Sequence, residues 1–463
     1  VVHCLDVAPT GAVLHENLLT NSGFDVWSNS TLETVSTNYS DTDGSSHADW
    51  AEARVVVTDG GDHLQLTYGS GTDQDTKKTL SGLTAGKLYK CVIITENGSL
   101  SWLSTDILHI TNNAGTSLAS KTGLVAGTHS IVWEAAGSDD KIQINTFMTG
   151  AGDIHIQSII VTEVTPGCIA SNELAPDGWG KSSAADMNIY RQHNDGGTLT
   201  HDGSFYSLFM NQVGGGNEGV WWPGTAMWTK PEFYQRFAGR TVTFGCWVKS
   251  SGGGSGAGAT LKIIDSTGNT LAYNTGTSWE WVEVTRTISA STTSFYVFIN
   301  AGPTVNNYIS QPMLVFGNSI GEGNYTRPQG EIIHVENAIP LATLDNKTGA
   351  AGFTTASAAT LNLEADSSGK IPKGAKSIDI MTNLNDSGSA GEAYSAKIGV
   401  GGHDSAFDQI KSLSCAGYAN DTQSSNNATV GLDANGDMKY QLWASGSNTL
   451  DIQAFIVLAV GLR

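Results

Sequence analysis

The sequence predicts an all-β protein: two tandem jelly-roll β-sandwiches, then a C-terminal β-sandwich domain, with an N-terminal arm. Three observations predict it. Helical periodicity is almost absent over the 463 residues. Short alternating or β-branched runs recur instead, cut by Gly, Asn, Asp, Ser and Thr every roughly 8 to 12 residues, as in sandwich folds. Finally, residues 17–165 and 172–317 share an order of features. The length fits about three domains of roughly 150 residues, each able to bury a core.

Residues 1–16 precede the first recognisable strand. They lean apolar (Val1, Val2, Leu5, Val7, Val13, Leu14) and read as a docking arm. Such a segment stays disordered unless a partner surface fixes it. Residues 17–165 carry strands near Ala53–Thr58, His63–Tyr68, Leu88–Ile94 and Ile154–Val161 and form the first jelly roll. Thr165-Pro166-Gly167 reads as a linker, because Pro and Gly interrupt strands. Residues 166–330 form the second jelly roll. Both units have a Trp soon after their opening (Trp27, Trp179). Both have an Ala-Gly-basic turn before a cysteine-bearing strand (Ala85-Gly86-Lys87 to Cys91, Ala238-Gly239-Arg240 to Cys246), and a late Trp strand (Trp133; Trp279 and Trp281). Pro231–Phe237 is expected to be a short helix, with Pro at its start and Gly239 beyond its end. A further helical turn is expected at Ala406–Leu413. Residues 331–463 form the last domain, with alternation at Leu361/Leu363, Ile378/Ile380 and Tyr440/Leu442. Its run Phe455–Val460 is apolar on both faces of a strand, so a second layer or a neighbouring subunit should cover it.

Charge excludes some partners. With 24 Lys+Arg against 44 Asp+Glu, the net charge is −20. Nucleic acid and anionic membrane surfaces are therefore not expected partners. The longest apolar run is too short to span a bilayer. The first ten residues lack a basic region and a long apolar core, so no signal peptide is expected. The five cysteines are dispersed and read as buried free thiols, with Cys4 the candidate for an intermolecular bond.

No G-x-S-x-G elbow, H-E-x-x-H, Walker loop or dinucleotide fingerprint occurs, so no catalytic residues are assigned and no enzyme is expected. Gly214-Gly215-Gly216 and Gly252-Gly253-Gly254 read as loops. His201-Asp202 and His403-Asp404 read as surface pairs, since adjacent strand residues face opposite sides. Asp41-x-Asp43-Gly44 and Asp433-x-Asn435-Gly436-Asp437 resemble the start of a calcium loop. The second lacks the acid twelve positions on and reads as a hairpin turn. Jelly rolls often hold a structural calcium between loops; its ligands here stay unnamed, and no other cofactor is expected.

The aromatics carry more. Trp221, Trp222 and Trp228 lie in a Gly/Pro-rich stretch, with Asn217 and Glu218 beside them. Rings of this kind stack on sugar faces while amides and carboxylates hold hydroxyls. These five residues are the candidate glycan site, against the alternative that the rings plug a contact between domains or subunits. Trp247 and one of Trp279/Trp281 are expected in the core.

Asn17-Leu18-Leu19-Thr20-Asn21-Ser22-Gly23-Phe24-Asp25-Val26-Trp27 resembles the N-L-L-x-N-G-x-F-E-x-W opening of carbohydrate-binding-module-like jelly rolls, frequent in tailed-bacteriophage virion proteins. Gln311-Pro312-Met313-Leu314-Val315-Phe316-Gly317 resembles the strand that closes such a module in phage fibre and tail proteins. The resemblance implies a non-enzymatic virion structural protein assembled in the host cytoplasm. It would be an exposed appendage (tail fibre, adhesin or capsid decoration), docked to other virion proteins through residues 1–16, homotrimeric and binding host surface glycan. The alternative is the glycan-binding region of a secreted bacterial enzyme or adhesin. N-x-S/T sequons such as Asn29 and Asn427 read as by-products of composition.

Overall fold

The computed structural model describes residues 16–462, apart from 54, 70–73, 170–173, 183–186, 194–197, 213–217, 225, 255–257, 329, 344–358, 387–396, 402–410, 415–421 and 444–449. Residues 1–15 of the arm, with Cys4, and also Cys415, Asn217, His403-Asp404 and Gly214–Gly216 lie outside the described residues.

The protein is nearly all β, in three sandwiches. Alternation decides which side chains enter the cores. In Val55–Asp59, Val55 and Val57 are buried while Val56 faces out; Leu64 and Leu66, and Ile154 and Ile156, bury likewise. The repeat read in the sequence is real at the level of topology. In the first unit, Gly127–Glu134, Leu88–Asn97, Gly152–Cys168, Leu64–Tyr68 and Val55–Asp59 pair in that order. In the second, Glu280–Thr287, Thr241–Ser250, Asn306–Phe316, Tyr206–Gln212 and Met187–His193 repeat that order. The facing sheets also match: Trp50–Ala53, Gln74–Thr79, Asp140–Thr146, Ile107–Asn112, Ser117–Thr122 against Gly180–Lys181, Gly219–Trp222, Phe295–Asn300, Thr260–Asp265, Gly268–Tyr273. Cys91 and Cys246 are both buried on the equivalent strands of the two units, and burial pushes the Cys91 thiol up to about 12.

Two expectations about the joins need correction. Thr165-Pro166-Gly167 is not a linker. It lies within the 17-residue strand Gly152–Cys168, paired to Thr31–Asp41 on one edge and to Met187–His193 beyond it, so both units share one eleven-stranded sheet. Gly167 is needed there: a Cβ would fall 2.8 Å from Tyr190 and 2.9 Å from Glu33.

Nor does the segment 17–30 open the first unit. Leu19, Phe24 and Trp27 are fully buried in the second unit's core, beside Trp179. Leu18 N donates to Leu314 O (2.8 Å), and the Asn17 amide bonds Pro312 O and Leu314 N (both 3.1 Å). The opening and closing motifs are therefore partners in a single sandwich, and the first unit is flanked in sequence by pieces of the second.

The third sandwich packs Ile332–Pro340, Leu450–Gly461, Ser377–Asp386 and Thr422–Gly431 against Ala359–Leu361, Met438–Trp443, Lys397–Gly401 and Lys411–Ser414. A bulge at Leu458 brings Val457 and Val460 to the same core, opposite Ile380 and Ile378, and leaves Leu458 outward. The run is thus not simply apolar on two faces. Leu363 does not continue the strand of Leu361. Asn362 accepts from Ala365 N (2.9 Å) and caps a helical turn, Leu363–Asp366. The expected helix at Pro231 forms as Pro231–Tyr234. The one expected at Ala406–Leu413 does not form at Lys411–Ser414, which is strand.

That helical turn sits where all three units meet. Arg191 and Tyr206 of the second unit reach Glu364: Nη2 donates to Oε1 at 2.6 Å and the phenol at 2.9 Å. Arg191 also donates to Asp25 O (3.1 Å) and stacks on the Tyr206 ring. From the first unit, Glu134 binds Lys373 and Asn362, while Leu88 and Val164 pack on Ala365. Burial pushes the Glu364 carboxyl up to about 7, against the pull of Arg191.

Within the second unit, Asp265 is fully buried under Arg286, whose Nη2 and Nε donate to it at 2.8 and 3.2 Å. Burial alone would raise this carboxyl, but Arg286, Thr267 and the Ser289 amide together hold it well below its ordinary 3.8. A depressed folded pKa means stability present above pH 3.8 and lost as pH falls through the folded value. Asp265→Asn should therefore flatten the acid limb of stability between pH 4 and 2, read by urea unfolding; an unchanged slope would remove the pair from acid unfolding.

Candidate functional site

The outer face of the second unit's five-stranded sheet is aromatic. Alternation sets it. Val220, Trp222, Phe295, Val297, Ile299, Leu261 and Ile263 point into the core, leaving Trp221, Tyr296, Phe298 and Lys262 outward. Cross-strand register then builds one row: Gly180, Trp221, Phe298, Lys262, Leu271. Trp221 lies flat over Gly180, where a Cβ would come within 2.4 Å of the indole; its Nε1 is turned against the sheet without a partner among the described residues. Its ring runs nearly parallel to Phe298 (13°, centroids 6.5 Å apart), and Trp228 leans on Tyr296 from the adjoining turn Ala226–Thr229 (5.2 Å). Lys262 Nζ stands 5.4 Å from the Phe298 centroid.

The expected platform is thus rearranged. Trp221 and Trp228 are on this face, both half-buried. Trp222 is not: it sits in the core against Phe233 (5.4 Å), its Nε1 donating to Thr20. Neighbours in a strand cannot share a face, so the second and third rings come from Phe295–Asn300. Glu218 is half-buried at the start of Gly219–Trp222, its carbonyl accepting from Ala301 N. The equivalent outer face of the first unit is polar: Asp75, Lys77, Gln143 and Asn145 bond one another there.

Trp247 is buried, as expected, but not between the two sheets. Val242, Phe244, Cys246 and Val248 take the inward side, so Trp247 lies on the back of the eleven-stranded sheet, stacked on His201 (3.8 Å). Trp279 and Trp281 join it there, touching His201 and Trp247. Trp281 and Trp133 are not equivalent: register places Trp133 opposite Tyr89, in the first core, and Trp281 opposite Trp247, outside the second.

Among the described residues, no group of three or more His, Cys, Asp or Glu could hold a metal ion. Asp41 accepts instead from Gly44 N (2.7 Å) and Asp43 N (3.2 Å). Asp433 accepts from Asn435 N and Asp437 N (both 2.9 Å). This second turn joins Thr422–Gly431 to Met438–Trp443 in the facing sheet, so it crosses between layers and is not a hairpin. No helix among the described residues is long and apolar enough to cross a membrane.

No family model matches the chain, and no curated protein matches it. Among solved structures, it is similar to the N-terminal CBM22-1–CBM22-2 tandem domain of Paenibacillus barcinonensis Xyn10C, at 11% identity and TM-score 0.28, over 62% of this chain and 99% of that one. It is similar to the C-terminal family 22 carbohydrate binding module of Clostridium thermocellum Xyn10B, at 19% identity and TM-score 0.22, over 31% of this chain and 89% of that one. The enzymatically active domain of bacteriophage CBA120 tailspike protein 4 is similar at 17% identity and TM-score 0.18, over 32% of this chain and 21% of that one.

Proposed function

We propose that this chain is a non-enzymatic glycan-binding protein, and that the Trp221–Phe298 face binds the sugar. The observation that carries this is Trp221 lying flat on Gly180 beside a parallel Phe298: glycine removes the side chain that would tilt the indole, so a flat ring faces outward. Flat rings stack on the apolar faces of sugars. The sequence offers no catalytic motif to set beside it.

The setting is either an exposed appendage of a phage particle or the glycan-binding region of a secreted bacterial enzyme or adhesin. The two motifs resembling virion modules form one sandwich, which supports a module of that kind in both settings. Antibody labelling of purified particles against culture supernatant separates them. The arm and a homotrimer belong to the virion setting; a monomeric mass of the full chain in solution would remove the trimer.

Trp221→Ala should weaken glycan binding by about 1 to 3 kcal/mol, borrowing the magnitude of aromatic stacking on bases, with the melting temperature almost unaltered. Lys77→Ala, on the polar face of the first unit, should change nothing. A glycan array with the full chain and both variants reads this out. Binding by Trp221→Ala equal to that of the unaltered chain would remove the face from the function.

A further inference from the structure

We infer that the glycan bound on this face is acidic, with its anionic substituent held by Lys262; the inference rests on the stacking role proposed for Trp221 and Phe298. Lys262 is the only charged side chain at the outward positions of the five strands, since alternation puts Lys181 and Asp265 on the inner side. Not one of those outward positions is Asp or Glu, in a chain with 44 acids and 24 bases. The face therefore has the opposite polarity to the protein around it.

The ammonium is also left uncompensated. Its neighbours in the row are Phe298 and Leu271, and it makes no ion pair or hydrogen bond among the described residues; its ammonium stands over the face of the Phe298 ring. Burial pushes its pKa down from 10.5, so the charge is held at a cost that an anion beside it would offset. Neighbouring strands are about 4.8 Å apart, close to the length of one sugar ring. A chain lying across the strands would stack one sugar on Trp221 and bring the next, beside Phe298, against the Lys262 ammonium that stands over that ring. The long-range charge of the protein opposes an anionic ligand, but solvent screens charges beyond about 8 to 10 Å, and Lys262 acts within contact distance.

The test uses the full chain with an oligogalacturonate, a sulfated galactan and the carboxyl-reduced, neutral form of the first, followed by titration calorimetry. The expected result is binding of an acidic oligomer roughly tenfold tighter than of its neutral counterpart, the size of one charge-assisted contact. Lys262→Met should lose that preference, and Lys262→Arg should retain most of it. Raised salt should narrow the gap between acidic and neutral oligomers. Equal binding of acidic and neutral oligomers, or a preference surviving in Lys262→Met, overturns the acidic assignment while leaving the stacking face intact. Silence toward these probes and toward a neutral glycan array removes the stacking face and this inference together. Lys262 points outward, so an unchanged melting temperature in the variants confirms that binding alone is being read.

Discussion

Replacing Arg191 with methionine should destabilise the folded chain by about 3 to 5 kcal/mol, the usual cost of leaving one member of a buried pair alone. Both partners are out of solvent, with Arg191 side-chain exposure at 0% and Glu364 at 3%. Without the guanidinium, Glu364 keeps only the Tyr206 phenol, and the backbone carbonyl of Asp25 loses a donor. The loss should depend on pH in a known direction. The Glu364 carboxyl already titrates near 7 because of burial, and removing Arg191 raises it further. A raised pKa favours the protonated form in the fold, so the variant is least damaged below pH 4.5 and most damaged as pH rises past the folded value. Thermal unfolding at pH 5 and pH 8 reads both parts. Adding Glu364→Gln should recover much of the loss at pH 8, since a neutral amide costs less to bury than a lone carboxylate. An equal loss at both pH values would mean that the damage comes from packing on Tyr206 and not from the charge.

Trp222→Ala should cost a similar amount, about 3 to 5 kcal/mol, as other large core truncations do. The ring lies among Phe233, Val220 and the buried opening segment, and its Nε1 ties that segment to the sheet through Thr20. Its neighbour Trp221 should behave oppositely: binding falls, stability does not. The pair forms a clean contrast, because two adjacent tryptophans on one strand report on the core and on the surface. Denaturant unfolding of both variants distinguishes them. If Trp222→Ala unfolds at the same denaturant midpoint as the unaltered chain, the ring is not part of the core.

Much of the fold was legible because it rests on local rules. Alternation in Val55–Asp59 and Phe295–Asn300 states which side faces inward, and the turn glycines Gly86 and Gly239 mark where the equivalent strands begin. The same alternation, applied to Phe295-Tyr296-Val297-Phe298-Ile299, would have picked out Tyr296 and Phe298 as outward rings. The cluster Trp221-Trp222-Trp228 is marked only by proximity in sequence, and proximity does not select a face. The burial of Trp247 is legible in the sequence but its face is not, for a related reason. A tryptophan in an apolar run looks like core, yet Val242, Phe244, Cys246 and Val248 already fill the inward side.

What the sequence determined by itself was therefore local: the all-β class, the strand-and-turn rhythm, the repeated order of features and the aromatic richness of the second unit. Each follows from side-chain alternation and turn chemistry within a few residues. Which segments share a sheet was decided only in three dimensions. Asn17 meets Pro312 and Leu314 almost 300 residues away, Pro166 continues a strand that crosses from one unit to the next, and Arg191 finds its counter-ion in Glu364 of the last domain. Strand pairing and burial act between segments at any sequence separation, so a motif at position 17 carries no mark of the sandwich it will close. The row from Gly180 through Trp221 and Phe298 to Lys262 is of the same kind. It gathers four strands whose common face exists only once their register is set.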